Sequence, residues 1–216
     1  MDGTLLDTEA MFHTALGQAA KAVGQVLTQD HIHQMVGIHR EENEKLLRRL
    51  WGEDFQLETF YRQVDVLFEA AWREGVPLRP GAVELLDSLR AAGLPLGLCT
   101  SSTSPDAEER LKIAGLFDYF QHIVTISHVT HPKPHPDPYL LTAKKLGIDP
   151  ADCVTVEDSP NGLRAAAGAG TMALLVPDMV PANDETRALA CAVLPDLHAV
   201  SDWIAQALTL EETPAE

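Results

Sequence analysis

The apolar residues of this chain change rhythm near Pro77–Pro80, and that change restricts the fold more than any other feature. Before it, from about Ala10 to Val76, they recur at helical spacing with hardly any strand pattern. Leu16, Ala19, Ala20 and Val23 make a stripe that stops at Gly24, and Thr28-Gln29-Asp30 can cap a second helix that runs through Met35 to Gly37. A third helix is predicted from Arg40 to Trp51 with Leu46, Leu47 and Leu50 inward. A fourth is predicted from about Leu57 to Glu74 with Phe60, Val64, Leu67 and Ala71 inward, closed by Gly75 and Pro77. After the change, short apolar runs alternate with helical stretches. Helices are predicted over Ala82 to Ala92, Asp106 to Ala114, Pro138 to Leu146, Asn161 to Ala169 and Leu197 to Leu208, and strands from Leu94, near Ile123 to Ile126, over Cys153 to Glu157 and over Thr171 to Leu175. Such repeated βα units predict an α/β fold: a doubly wound, Rossmann-like, mostly parallel sheet with its site at the strand C-termini. The boundaries that follow are 1–9 and 77–216 for the α/β core and 10–76 for a small inserted all-helical domain. The acidic, Pro-containing tail Glu211 to Glu216 is expected to fray.

Four short segments carry chemistry-bearing side chains. The chain opens Met1-Asp2-Gly3-Thr4-Leu5-Leu6-Asp7-Thr8. The run Leu94-Pro95-Leu96-Gly97-Leu98-Cys99 ends in Thr100-Ser101-Ser102, a buried strand delivering hydroxyls at its C-terminal end. Lys133 stands in His131-Pro132-Lys133-Pro134-His135-Pro136-Asp137, where two flanking prolines fix a loop and hold the ammonium group. Cys153-Val154-Thr155-Val156-Glu157-Asp158-Ser159-Pro160-Asn161-Gly162 is a short strand ending in two carboxylates before an Ala-rich helix. Each alone has a plain reading: a common Asp-Gly turn pair, a surface lysine, a strand end running into a cap, and acids that favour a helix N-terminus. Three of the four follow apolar strands.

In that order the segments resemble the motifs of the haloacid dehalogenase (HAD) superfamily, subfamily I with a C1 helical cap, near the β-phosphoglucomutase and phosphoglycolate phosphatase-like group. The superfamily's first motif reads Asp-x-Asp-Gly-Thr. Met1 takes the x position, so Asp2 matches the second Asp, a general acid/base, and the first Asp, which forms an aspartyl-phosphate, would precede Met1. The resemblance implies that Thr100 is the matching phosphate-site hydroxyl and Lys133 the phosphate-clamping lysine. It implies Mg²⁺ as cofactor, held by the first Asp, the backbone carbonyl of Asp2, and Asp158 with Glu157 beside it, an oxygen set suited to a small hard cation. The helical insert resembles a cap that in relatives closes over the site and selects substrate. Candidate substrate contacts are Glu9, His13, Gly37, His39 and Arg40, with Ser101 and Ser102 adding phosphate or cap contacts. In relatives an apolar strand precedes the first motif and sits mid-sheet; its loss would leave buried ladder amides unpaired at about 1–3 kcal/mol each. Because the methionine inside Asp-Met-Asp-Gly-Thr is an available false start, an upstream apolar strand ending in Asp is expected.

The implied activity is a Mg²⁺-dependent phosphatase acting on a small phosphorylated metabolite such as a sugar phosphate. A phosphomutase of the β-phosphoglucomutase type is the alternative, suggested by Gly37-Ile38-His39-Arg40-Glu41, where Arg40 matches an arginine that grips a distal phosphate. Those enzymes carry a His where this chain has Phe12, and the neighbouring His13 would point about 100° away around a helix. A non-catalytic protein that lost the nucleophile while keeping phosphate and metal contacts is a third reading. Dehalogenation is disfavoured, since Asp-Gly-Thr and Glu157-Asp158 suit Mg²⁺ and phosphate. With 16 basic and 32 acidic residues the net charge is −16, which argues against nucleic acid as a partner. Cys99, Cys153 and Cys191 lie in apolar surroundings and are expected to be buried and reduced, which fits a cytoplasmic protein. No apolar run reaches the ~18 residues of a membrane span, and a basic, apolar signal pattern is lacking at the start. The nine histidines show no metal-ligand spacing. Oligomeric state is not readable from this pattern.

Overall fold

The computed structural model describes residues 1–35 and 40–211. The chain forms two compact units, Asp7–Val76 and Met1–Leu6 with Pro77–Glu216.

The first unit is helical: α1 (Thr8–Ala22), α2 (Gln29–Met35), α3 (Arg40–Trp51) and α4 (Leu57–Glu74). Thr28 caps α2 reciprocally, its Oγ1 accepting from His31 N at 3.2 Å while its own N–H donates to His31 Nδ1 at 3.3 Å. Leu16, Ala19 and Ala20 of α1 meet Phe60 and Val64 of α4 in one buried cluster with Leu47. On α3 the inward face runs through Leu47 and Trp51, whose ring packs edge-on against Phe60 at 5.0 Å. That leaves Leu50 at the margin, 38% exposed, where the sequence pattern put it inward. Val23 is 37% exposed because it lies beyond the last turn of α1, as its C-cap.

The second unit contains β1 (Gly97–Cys99), β2 (His122–Val124), β3 (Val154–Glu157), β4 (Met172–Leu175) and β5 (Ala192–Val193). Its helices are α5 (Ala82–Ala91), α6 (Asp106–Ile113), α7 (Asp137–Leu146), α8 (Pro160–Gly168), α9 (Asp184–Leu189) and α10 (Leu197–Glu211). Every strand pair is parallel, which requires crossover connections, and helices supply them. This is a Rossmann-like α/β fold. α7 packs on β1 and β2, α8 on β4, and α5 on α10. Leu174 and Leu175 of β4 are nearly fully buried, as a strand covered on both faces should be.

The sheet is in two pieces. Among the described residues β1 pairs only with β2, and β3 only with β4, which continues to β5. Both β1 and β3 line one cavity of about 430 Å³, which also touches Met1, Thr4 and Leu5. Protein interiors seldom hold voids much larger than a water, so a gap of this size needs an explanation. The strand expected from Leu94 begins only at Gly97, since Leu94 N–H closes the end of α5 on Leu89 O and Leu96 N–H goes to the Gln121 side chain. All three cysteines are free thiols, but none is fully buried as expected: Cys99 and Cys153 are half-buried, and Cys191 is exposed because it stands in the turn between α9 and β5. No helix among the described residues is long and apolar enough to cross a membrane. The tail from 212 to 216 lies outside the described residues.

Candidate active site

The opening segment folds into a tight turn. Met1 O accepts from the amides of Leu5 at 2.8 Å and Leu6 at 3.1 Å, and Gly3 N donates to Leu6 O at 2.9 Å. Gly3 is required here twice over. Its φ is +74°, and a Cβ would stand 2.5 Å from Asp158 Oδ2. The turn thus lies directly against the end of β3, and Thr4 Oγ1 donates to Asp158 Oδ1 at 2.6 Å.

Asp2 faces the end of β1. Its Oδ2 accepts from Ser102 Oγ at 2.7 Å, and its Oδ1 from Arg110 Nη1 at 3.3 Å. Thr100, 5% exposed, accepts the Ser102 amide on its Oγ1 at 3.1 Å, so the hydroxyl stiffens the turn that presents Ser102. Ser101, next to it, points outward and is exposed. Arg110 on α6 was not singled out from sequence. It stands among alternating charges on an ordinary helix, and its partner is 108 residues away.

Lys133 is held by three oxygens: Cys99 O at 3.2 Å, Tyr139 Oη at 3.1 Å and Glu157 Oε1 at 2.5 Å. Burial pushes its ammonium down most strongly, but the charge and hydrogen bond of Glu157, with the charges of Cys99 and Asp158, together keep it above its ordinary value. Burial likewise raises Glu157, yet the charge and hydrogen bond of Lys133 leave it below the usual carboxylate range. Both groups are therefore charged at neutral pH. Tyr139 Oη also donates to Glu157, and Gly162 comes so close to the Glu157 carboxylate that a Cβ there would overlap it. Asp158 behaves differently. Burial first, then the negative Glu157 beside it, hold its carboxyl above the usual range.

Asp2, Thr100, Ser102, Lys133, Glu157 and Asp158 are thus joined through direct contacts or adjacent residues at the C-terminal ends of β1 and β3, with Thr4, Arg110 and Tyr139 added by the structure. Glu157 spends its carboxylate on Lys133 and Tyr139, whereas Asp158 turns to Thr4 and the Gly3 turn. The donor set suits a hard divalent cation: the Lys133 ammonium is taken up by Glu157, which among the described residues leaves the adjacent Asp158 carboxylate with a hydroxyl donor alone, and the donors it offers are oxygens. Glu9 and His13 belong to the helical unit, half-buried on the first two turns of α1. Gly37 and His39 lie outside the described residues, as does the side chain of Arg40, the first residue of α3.

A family model described as haloacid dehalogenase-like hydrolase matches residues 1–170. The chain belongs to this family. It is 34% identical over 189 residues to hexitol phosphatase A of Escherichia coli (strain K12), covering 86% of this chain and 85% of that protein. Among solved structures, it is similar to a HAD family hydrolase from Deinococcus radiodurans R1 with bound phosphate and sodium, at 29% identity and a TM-score of 0.84 over 100% of this chain and 96% of that one. It is also similar to a putative β-phosphoglucomutase from Thermotoga maritima, at 28% identity and a TM-score of 0.83 over 95% and 96% of the two chains. The resemblance read from the four motifs and the α/β fold are both in line with these relatives.

Proposed function

We propose that this HAD-family chain is a Mg²⁺-dependent phosphatase for a small phosphorylated metabolite, a sugar phosphate or a similar ester, working through an aspartyl-phosphate provided the native chain carries an Asp directly before Met1. The observation that carries the reading is the convergence of Asp2, Thr100, Lys133 and Asp158, from four distant segments, at one set of parallel strand ends. In the first step the Asp carboxylate attacks phosphorus, the ester P–O bond breaks, and Asp2 gives a proton to the departing alkoxide. In the second, Asp2 takes a proton from water, which attacks the aspartyl-phosphate, releasing phosphate and restoring the carboxylate. Ser102 and Arg110 hold the Asp2 carboxylate by one oxygen each, fixing its direction for both transfers. Lys133, anchored by Glu157 and Tyr139, supplies positive charge to the phosphoryl oxygens. Mg²⁺, for which Asp158 and the Asp2 carbonyl are the ligands this chain offers, would neutralise further charge there. The apolar slot between β1 and β3 is where an added parallel strand would bring that Asp to Met1. We propose the helical unit as a C1-type cap.

The mutase reading has support from the second structural relative, but the position at which a mutase carries His is Phe12, whose ring packs against Phe68 at 5.7 Å. The test is a chain extended by about five apolar residues ending in Asp. It should release phosphate from sugar phosphates with Mg²⁺ and not with chelator, and a version ending in Asn should not. Interconversion of sugar monophosphate isomers without net phosphate release would favour the mutase; binding without turnover would favour the non-catalytic reading.

A further inference from the structure

The loop that carries Lys133 gathers a second group of ligating side chains, on its outer side. His131 Nδ1 lies 2.9 Å from Asp137 Oδ2, and His135 Nδ1 lies 3.0 Å from Asp137 Oδ1. Each imidazole thus addresses a different oxygen of one carboxylate. The two rings stand 4.7 Å apart between centroids, and the candidate ligand atoms of all three residues fall within 4.8 Å of one another. The spacing that does this is four residues between histidines and two to the aspartate. On a helix it would read as a familiar pattern, but here prolines at 132, 134 and 136 bend the loop to the same effect.

We propose that His131, His135 and Asp137 form a binding site for a divalent transition-metal ion, separate from the cation position at Asp158. The ligand chemistry decides the class. Two imidazoles and a carboxylate suit Zn²⁺, Co²⁺, Ni²⁺ or Cu²⁺, whereas Mg²⁺ prefers all-oxygen surroundings. Donors around a first-row ion with bonds of about 2.1 Å stand roughly 3 Å apart, the separation each imidazole already keeps from the carboxylate. A second observation concerns the ring nitrogen of His135. It accepts the Asp137 amide at 3.4 Å while lying 3.0 Å from a carboxylate oxygen, which is itself an acceptor. A divalent ion would take the lone pair that this long amide contact engages and would face the carboxylate with positive charge. About half or more of each imidazole side chain is open, 61% for His131 and 49% for His135, which gives the ion an entry path and leaves positions for water. Bound there, it would tie together both flanks of the segment holding Lys133.

The full chain, titrated calorimetrically with Zn²⁺ in excess Mg²⁺, should bind one equivalent. H131A and H135A should each weaken binding on the order of tenfold or more, and the pair together should abolish it, while Asp158→Asn retains it. Circular dichroism checks that these exposed substitutions leave the fold intact. Failure of the wild type to bind Zn²⁺, binding that survives in the double variant, or loss confined to Asp158→Asn would each overturn the proposal. A loss at Asp158 alone would indicate Zn²⁺ in the phosphatase site and would leave the phosphatase reading standing.

Discussion

The helical unit and the α/β unit are built from the same stock of leucine, alanine and aromatic residues, yet one closes on itself and the other does not. In the helical unit Phe60, Leu47, Val64 and Leu16 are all at most 2% exposed, and Trp51, Phe55 and Phe60 interlock edge to face. In the α/β unit a cavity of about 430 Å³ separates two fragments of parallel sheet. A helix bundle satisfies its backbone within each segment, whereas a parallel sheet depends on strands far apart in sequence. Among the described residues β1 and β3 each pair on one side only, and both line the same cavity.

The largest expected effect erases the contrast. Placing an apolar strand ahead of Met1 should stabilise the α/β unit by several kcal/mol, through newly paired ladder amides at about 1–3 kcal/mol each, and leave the helical unit unchanged. Hydrogen exchange followed by mass spectrometry reads the two separately, and equal gains in both would sink the explanation. Next, Phe60→Ala should cost about 3–5 kcal/mol in the helical unit alone. Lys133→Met should cost a similar ~3–5 kcal/mol in the α/β unit by stranding Glu157, with much of it recovered in Lys133→Met/Glu157→Gln. The same pair gives a pH signature. Glu157 has a lowered folded value, so its contribution is present above its ordinary 4.5 and is lost as pH falls through that lowered value. Lys133 has a raised one, so its contribution holds below 10.5 and fades as pH rises beyond its folded value. Acid unfolding that begins in the helical unit would contradict this. The smallest effect concerns α9: Asn183, whose side chain accepts from Thr186 N at 2.9 Å, should cost about 1 kcal/mol when changed to Ala. Chemical denaturation checks it.

Legibility from sequence followed the same division. The third and fourth helices begin and end where their periodicity says, because a 3.6-residue pattern bounded by Gly or Pro is a local signal. Strand β5 and helix α9 were missed. They are two and six residues long, and α9 is polar on most positions, too short for a period to show. Of the site, the motif residues could be named, but the use of each carboxylate could not. Nothing in Glu157-Asp158 says that the first turns to Lys133 and the second to Thr4; that follows from Glu157 closing β3 while Asp158 stands just beyond it against the Gly3 turn. Arg110 and the grouping of His131, His135 and Asp137 were hidden for a related reason, since both depend on where loops bend.

Gly162 has a consequence for how this chain can vary. Any side chain there displaces the Glu157 carboxylate, and with it the anchor of Lys133. Residues 157 and 162 should therefore be inherited as a pair. In a combinatorial library, Ala at 162 should survive selection mainly alongside a shorter residue at 157, so that two substitutions harmful singly become tolerable together.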